Sequence, residues 1–373
     1  MREVEVLIIG AGPAGATAAL NLARLRHTAL IDASAAPHER IGESLAPAAR
    51  RLLTDMRLFD EFLAEQHVPC YGNRSVWGSV QPADHDFLRG PDGPGWHLDR
   101  ARFESWLRRA ADERGAALLI PARLEGVERV AGRWQVATSA GVISAWCLID
   151  AGGRAAPLAR RLGATRHDED RLVCVWCYGA ASPAGCGAGF TFVEAVQDGW
   201  WYTAPLPGGR RVLAFHTDSD LPILRSIRTP EALLAHTTQT VELHAILRDC
   251  AFRTGEVFGC CPAQGSALEP AAGAGWFAAG DASISFDPIS AQGLFHALYT
   301  GLAAAEAADR WLAGDSAAPA GYIDSIREIH RGYRRHLEDC YRAEDRWSDS
   351  LFWARRRFSQ GEAPPERTHG KEQ

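Results

Sequence analysis

Hydrophobic residues near the N-terminus follow the pattern of a buried strand, a glycine turn and a helix. The apolar run 6–9 leads into Gly10-Ala11-Gly12-Pro13-Ala14-Gly15, and residues 16–25 are rich in Ala and Leu. A second apolar run, 28–31, ends at Asp32. In such a turn the first glycine allows the bend, the second lets a pyrophosphate approach the backbone, and the third permits close helix packing. With Asp32 about twenty residues later to accept from a ribose hydroxyl, the pattern predicts a dinucleotide site.

The remaining pattern alternates between helical and strand periodicity. Helices are predicted over 48–62, 230–247, 294–312 and 322–358. A further helix is predicted to open with residues 96–100 and to run to residue 114. Strands are predicted over 68–80, 117–120, 124–130, 133–138, 145–149, 172–178, 190–195, 199–205, 211–217 and 275–279. Residues 314–320 have the composition of a linker, and 359–373 that of a disordered tail. The basic run 355–357 is expected to be a solvated helix end.

Composition narrows the class of protein. The chain has 373 residues, 46% hydrophobic and 23% charged, which is ordinary for a globular protein. The net charge of −6 does not indicate nucleic-acid binding, which usually needs a basic surface. The sequence shows no long apolar span and no apolar leader, so no membrane segment is expected. The nine cysteines lie mostly in apolar stretches, which favours reduced thiols and a cytoplasmic location. Cys174 and Cys177 should point to opposite faces of a strand, so core packing is favoured over a metal site.

Two later stretches repeat the combination of a buried strand and a tight turn. Asp150-Ala151-Gly152-Gly153-Arg154 follows an apolar strand, and Gly280-Asp281 follows strand 275–279. Residues 286–293 then lead into an apolar helix, whose N-terminus would favour negative charge. Glycines at such turns let the backbone approach a ligand closely. Each stretch alone also fits an ordinary strand-to-helix connection.

The element Gly42-Glu43-Ser44 has two interpretations. Ser44 stands shortly before a predicted helix and could cap it. The element also follows the predicted ribose-binding strand and could line a cofactor, which is the interpretation we favour.

As a set, residues 10–15, 150–154 and 280–281 resemble the FAD-binding elements of flavin-dependent aromatic hydroxylases and halogenases. The resemblance spans residues 1–312 and implies FAD as the cofactor. Arg100, in an Arg-x-x-Phe sequence, resembles the arginine that reaches the flavin linker. The FAD-binding residues implied in this way are Gly10, Gly12, Pro13, Ala14, Gly15, Asp32, Ala33, Arg40, Ser44, Arg100, Leu124, Gly280, Asp281, Pro288, Gln292, Gly293 and Leu294.

The implied fold is α/β: a Rossmann-type FAD-binding domain interleaved with an antiparallel-sheet substrate domain, plus C-terminal helices. We expect the FAD-binding domain over 1–67, 96–165 and 263–315, and the substrate domain over 68–95 and 166–262. A helical segment, 316–358, and the tail would follow.

Within this superfamily the chain departs from true halogenases. The halogenase pattern Trp-x-Trp-x-Ile-Pro stands here as residues 200–205, with Tyr202 and Ala204 in place of the second Trp and the Ile. Halogenases use an active-site lysine to handle hypohalous acid, but the only lysine is Lys371, and Asn73-Arg74 occupies the expected stretch. Arginine keeps its charge and is a poor amine for that chemistry. Residues 199–207 and 341–356 are more similar to LodB-like flavoproteins, which oxidise a tryptophan side chain in a partner protein.

The resulting prediction is a FAD-dependent monooxygenase that hydroxylates an electron-rich aromatic, free or peptidyl, through a flavin C4a-hydroperoxide. Trp200, Trp201 and Tyr202 are predicted to form the pocket wall, and His296 is the favoured substrate contact over His97 and His216. Reduced nicotinamide or a separate flavin reductase would supply electrons. A target protein is a possible partner, whereas nucleic acid, membrane and metal are not expected. The alternatives are a flavin reductase of isoprenoid double bonds and a non-catalytic flavoprotein that binds a partner through its C-terminal helices.

Overall fold

The computed structural model describes residues 2–182 and 189–357. Its helices are α1 (Pro13–Leu22), α2 (Ala49–Asp55), α3 (Phe59–Ala64), α4 (Arg100–Glu113), α5 (Pro157–Arg161), α6 (Pro230–His236), α7 (Glu242–Asp249), α8 (Gly293–Leu312), α9 (Ala318–Arg342) and α10 (Leu351–Arg357). Its strands are β1 (Arg2–Ile9), β2 (Thr28–Ile31), β3 (Ser44–Leu45), β4 (Val68–Cys70), β5 (Gly72–Val76), β6 (Ala83–Asp86), β7 (Gly95–His97), β8 (Ala117–Leu119), β9 (Leu124–Val130), β10 (Arg133–Thr138), β11 (Gly141–Asp150), β12 (Thr165–Asp168), β13 (Leu172–Ala180), β14 (Phe190–Val196), β15 (Gly199–Leu206), β16 (Arg210–Asp218), β17 (Arg253–Pro262), β18 (Ser266–Glu269), β19 (Ala272–Gly273), β20 (Trp276–Ala278) and β21 (Ile284–Ser285).

The first large sheet contains the N-terminal strand. Its order is β19-β20-β11-β1-β2-β8, and the neighbours from β20 to β8 run parallel. The predicted hairpin β9–β10 extends it from β11. Because parallel strands end at the same edge, the three predicted turns lie side by side, as shown by the bonds from Gly10 N to Ile31 O, Ala151 N to Ile9 O and Ala279 N to Asp150 O, each 2.8 Å. This arrangement confirms the predicted α/β fold.

The second large sheet has the order β17-β13-β16-β15-β14-β5-β6 and is antiparallel except between β14 and β5. Helices α6 and α7 cover one of its faces through a cluster that includes Leu233, Leu243 and Leu247. The other face turns toward the first sheet. Two small sheets, β3-β7-β4 and β12-β18-β21, lie in the connecting segments.

The C-terminal helices pack onto both large sheets. The hydroxyl of Tyr322 on α9 donates to Ala278 O at 2.6 Å, and Trp353 Nε1 on α10 donates to Val196 O at 2.9 Å. The expectation that residues 355–357 form a solvated helix end is wrong for Arg356. Its side chain is only 6% exposed and pairs with the buried Asp218 at 2.7 Å.

Three predicted helices are each interrupted and form two separate segments. The 48–62 helix is interrupted at Arg57, whose φ of 57° ends α2. The 230–247 helix is divided at residues 237–241, where the hydroxyl of Thr240 bonds Thr237 O at 2.7 Å. The last helix begins at Ala318, inside the predicted linker, and is broken over 343–350. The tail prediction lies outside the described residues. Among the helices of the described ranges, none is sufficiently long and apolar to cross a bilayer.

Candidate active site

A cavity of about 1000 Å³ is lined by the turns at the end of the first sheet and by the inner face of the second. From the implied FAD-binding set and the predicted aromatic wall, it is lined by Gly10, Gly12, Pro13, Ala14, Asp32, Arg40, Ser44, Arg100, Trp200, Tyr202, Gly280, Asp281, Pro288, Gly293 and Leu294. This volume lies at the upper end of the range of ligand and cofactor pockets.

The three glycines of the first turn have distinct surroundings. Gly10 has a φ of 102°, and a Cβ there would lie 2.3 Å from Ala151 O. A Cβ on Gly15 would lie 1.8 Å from Gly10 O, so this glycine serves helix packing and does not line the cavity. A Cβ on Gly12 would face open space, with Arg40 Nη2 nearest to it at 3.6 Å. A pyrophosphate can therefore reach the backbone at Gly12 and the N-terminus of α1.

Asp32 is fixed at the end of β2 with capacity to accept a further bond. Its Oδ2 accepts from Ala11 N at 2.7 Å and its Oδ1 from Ser34 N at 2.8 Å. Arg108, which sequence reasoning missed, lies 3.4 Å from Oδ2 and donates to Ala11 O at 2.9 Å. Each carboxylate oxygen keeps a lone pair for a ribose hydroxyl. The neighbouring Ala33 does not line the cavity.

Two arginines are held beside the nucleotide end by one buried carboxylate. Arg40 Nη2 and Arg100 Nη2 lie 2.6 and 2.7 Å from Glu104 Oε1. Burial alone would raise the pKa of Glu104, but the charges of Arg100 and Arg40 lower it. Arg100 also donates to Gly42 O at 2.5 Å. The signal for Glu104 was present in the sequence, since it follows Arg100 by one helical turn.

The Gly42-Glu43-Ser44 element lines the cavity and does not cap a helix. Ser44 lies in β3, and its Oγ is 3.0 Å from the hydroxyl of Tyr202. Glu43 is buried and accepts from the Tyr178 hydroxyl at 2.6 Å. Burial raises the pKa of the Glu43 carboxyl despite that bond.

The third turn packs against the first. Gly280 has a φ of 59°, donates to Thr300 Oγ1 at 2.7 Å, and would place a Cβ 2.8 Å from that of Ala14. Asp281 lies 3.7 Å from Arg154, and both line the cavity. Besides Gly15 and Ala33, two further residues implied by the resemblance are not on the wall. Gln292 is exposed to solvent outside it, and Leu124 is buried in the core cluster of the first sheet.

The aromatic wall is built on β15 with the alternation of a strand. Trp200 and Tyr202 face the cavity, whereas Trp201 packs on the opposite face, 4.6 Å from the Phe215 ring. The predicted wall position of Trp201 is therefore wrong, because neighbouring side chains of a strand point to opposite faces. Trp176 and Trp77, which the sequence did not single out, complete the wall.

The three histidines that the sequence singled out are poorly suited to accept a proton. His296 is not on the cavity wall but packs against Phe286 at 4.5 Å, and burial lowers its pKa to about 4. His97 reaches the cavity only through Thr191, at 2.8 Å. His216 lines the cavity and stacks on Trp200 at 3.6 Å. Burial lowers the pKa of His97 and of His216 to about 3, so both rings are neutral at ordinary pH.

Asp287 is the acid on the aromatic side that sequence reasoning missed. It lines the cavity, and its Oδ2 accepts from the Tyr341 hydroxyl at 2.7 Å. Tyr341 in turn accepts from Trp200 Nε1 at 3.2 Å. Burial, together with the charge of Asp170, raises the pKa of Asp287 to about 7. Nothing in the local sequence locates this network, since Tyr341 comes from the end of α9.

The cysteine pair follows the strand prediction. Cys174 faces the cavity, whereas Cys177 packs into the core on the other side of the second sheet. Within the described residues, no group of three or more His, Cys, Asp or Glu side chains is arranged to hold a metal ion.

This geometry fits FAD: a glycine-lined approach at Gly12, an acid for the ribose, an arginine pair, and a continuous aromatic compartment. A family model described as FAD binding domain matches residues 3–178. Among curated relatives, the FAD-dependent oxidoreductase LodB of Marinomonas mediterranea is 29% identical over 368 residues, covering 95% of this chain and 97% of that protein. Menaquinone reductase of Mycobacterium tuberculosis is 29% identical over 331 residues, covering 82% of this chain and 77% of that protein.

Solved structures share the fold. The flavin-dependent halogenase CmlS superposes with a TM-score of 0.82 at 26% identity, over 96% of this chain and 68% of that one. The peptidyl tryptophan dihydroxylase QhpG superposes with a TM-score of 0.74 at 24% identity, over 95% of this chain and 78% of that one. Residues 3–178 thus constitute a FAD binding domain, and the chain is an oxidoreductase homologous to the FAD-dependent oxidoreductase LodB and the flavin-dependent halogenases.

Proposed function

We propose that this protein is a monooxygenase that hydroxylates an electron-rich aromatic ring. The observation that carries the proposal is the cavity in which the FAD elements and the aromatic wall of Trp200, Tyr202, Trp176 and Trp77 face each other. Bound FAD would supply the activation of dioxygen. The protein's part is to bind the ring against flat aromatic side chains and to keep water from the reacting atoms.

A tryptophan side chain in a partner protein is the substrate that we favour over a free small molecule. The likeness to QhpG, a peptidyl tryptophan dihydroxylase, supports this choice. The wall also suits an indole, because it offers stacking surfaces together with the polar groups of Ser44 and Tyr202, 3.0 Å apart.

Halogenation is not the reaction that we propose. Asn73 lines the cavity in the stretch where a halogenase would have its lysine, and Arg74 turns outward to pair with Asp84 at 2.7 Å. Lysine is absent from the residues that the structure describes. An amine that could react with hypohalous acid is therefore missing from the described wall.

The electrons would come from reduced nicotinamide or from a reductase that delivers reduced flavin. The sequence has one glycine-rich dinucleotide turn, which FAD would occupy. Titration of the holoprotein with NADH and NADPH decides between these sources, because loss of the oxidised-flavin absorbance requires a direct donor. We place the protein in the cytoplasm, because most of its nine cysteines lie in apolar stretches, a pattern typical of reduced thiols.

Replacing Trp200 by phenylalanine should lower kcat/KM for the aromatic substrate about tenfold or more, because the variant loses a stacking surface and the Nε1 donor to Tyr341. Trp201→Phe is the matched control: it lies on the opposite face and should cost stability while leaving kcat/KM near that of wild type. Steady-state oxygenation assays and urea unfolding of both variants check this. Equal kinetic losses in the two variants would contradict the assignment of the wall.

A second candidate is reduction of an isoprenoid double bond, favoured by the similarity to menaquinone reductase. It predicts product formation without oxygen consumption. A role as a non-catalytic flavoprotein with a C-terminal docking surface is disfavoured, because α9 contributes Tyr341 and Cys340 to the site and its surroundings. Deleting α9 and α10 would therefore remove part of the cavity together with any such surface.

A further inference from the structure

A buried carboxyl faces the aromatic end of the cavity without an ion-pair partner of its own among the described residues. Asp287 is fully buried, and its Oδ1 and Oδ2 accept from Ile289 N at 2.9 Å and from the Tyr341 hydroxyl at 2.7 Å. The charge of Arg356 lowers the pKa of Asp287, but the ion pair of Arg356 is formed with Asp218. Burial favours the neutral form of this carboxyl, whereas the two hydrogen bonds to its oxygens favour the charged form.

The hydrogen bonds around Asp287 are directional. Trp200 Nε1 can only donate, so the Tyr341 hydroxyl accepts from it and must donate its own proton to Asp287. Tyr341 is thereby fixed between a cavity side chain and the acid. Each Asp287 oxygen keeps one further lone pair, and the residue lines the same wall as Trp200.

We propose that Asp287 is the proton acceptor for the aromatic substrate and that Tyr341 is its positioning residue; this rests on the proposed function. In the overall reaction, the ring, dioxygen and reduced flavin would give the hydroxylated ring, water and oxidised flavin. The O–O bond of dioxygen breaks: one oxygen atom goes to the ring and the other leaves as water, and reduced flavin supplies the two electrons. At the ring carbon that gains oxygen, a C–O bond forms and the C–H bond breaks. The electron pair of that C–H bond returns to the ring, and the proton goes to an Asp287 oxygen.

The groups that surround Asp287 set the pH at which it can act. Burial and Asp170, from the β12–β13 loop, raise its pKa to about 7, whereas Tyr341 on α9 and Arg356 on α10 lower it. Tyr333 and Cys340 are the other titratable groups of α9 that face it. A base whose pKa lies near the working pH is the efficient kind, and the buried His97, His216 and His296, with pKa values of about 3 to 4, are weaker bases.

The test is the pH dependence of product formation by the holoenzyme, with free tryptophan, indole and a tryptophan-containing peptide as probes. Activity should rise with pH through an apparent pKa near 7, because the acceptor must be ionised. Asp170→Asn should move this rise in activity to lower pH, because Asp170 raises the pKa of Asp287. Tyr341→Phe should move it to higher pH, because the Tyr341 hydrogen bond lowers that pKa. Asp287→Asn should bind FAD, and its flavin should be reduced, as in wild type. It should form product about a hundredfold more slowly, and its activity should no longer rise with pH near 7.

A second readout needs no substrate. The pKa of Asp287 is higher in the folded chain than its ordinary value of 3.8, so its stabilising effect is present below pH 4 and lost as pH rises through about 7. The urea midpoint of wild type should therefore fall, relative to that of Asp287→Asn, between pH 4 and 7. If wild type yields no oxygenated product but this difference is present, the proposed function fails and the titration of Asp287 stands.

Two outcomes overturn the assignment of Asp287. One is hydroxylation by Asp287→Asn at the wild-type rate with an unchanged pH profile. The other is an apparent pKa for activity that Asp170→Asn and Tyr341→Phe leave unchanged or shift in the same direction. Should Asp287→Asn fail to fold, the paired shifts of the other two variants decide.

Discussion

Gly12→Ala is expected to weaken FAD binding at least tenfold, about 1.4 kcal/mol, while the chain stays folded. Beyond its two chain neighbours, a Cβ at residue 12 would meet no described atom closer than Arg40 Nη2 at 3.6 Å, so the apoprotein can accept it. The methyl group would instead project into the space where the pyrophosphate must approach the backbone. Fluorescence titration of apoprotein with FAD measures the affinity, and urea unfolding of the apoprotein measures the stability.

Gly15→Ala is the matched control for that experiment. Its Cβ would lie 1.8 Å from Gly10 O, so α1 would have to move away from the turn. We expect this variant to lose both folded stability and FAD binding. An apoprotein destabilised by Gly12→Ala as strongly as by Gly15→Ala, or an unchanged FAD affinity in Gly12→Ala, would contradict the placement of the pyrophosphate.

Arg356→Gln should lower the free energy of unfolding by about 3–5 kcal/mol, the usual cost of removing one partner of a buried ion pair. Asp218 is almost fully buried, and among the described residues its remaining ion-pair partner would be Arg355, at 2.9 Å. The guanidinium also lies 3.8 Å from the centre of the Phe352 ring, so the variant loses a cation–π contact as well. Urea unfolding of the holoprotein measures the change.

Arg342→Gln provides the comparison at an exposed ion pair. Arg342 is 62% exposed and lies 3.4 Å from Asp339, a geometry typical of pairs that contribute about 0–1 kcal/mol. If the two arginine variants were equally stable, α10 would not be anchored through Arg356, and Tyr341 would lose this support from the C-terminal helix.

Features that depend on local backbone geometry could be predicted from the sequence. Gly10 requires glycine for its own φ of 102°, and Gly15 requires it because a Cβ would lie 1.8 Å from Gly10 O. The strand that precedes this turn ends in a continuous apolar run. The parallel sheet then brings the turns together without further information. The same holds for the two faces of β13, which follow from strand alternation.

Features that depend on packing partners far along the chain could not be predicted from the sequence. The sequence shows two adjacent tryptophans but not which of them faces the cavity, and it places Trp201 wrongly for that reason. His296 follows Gly293 by nearly one turn, yet Phe286 covers it. Arg356 looks like part of a solvated basic run until Asp218 is placed beside it.

The most direct test of the proposed oxygenation is mass spectrometry of an aromatic acceptor after turnover under labelled dioxygen. Purified holoprotein would be supplied with reduced flavin and with indole, free tryptophan or a tryptophan-containing peptide. We predict a product that carries one or more oxygen atoms from the labelled gas, with none from water. A product that gains only hydrogen, gains a halogen, or takes its oxygen from water would contradict the proposal.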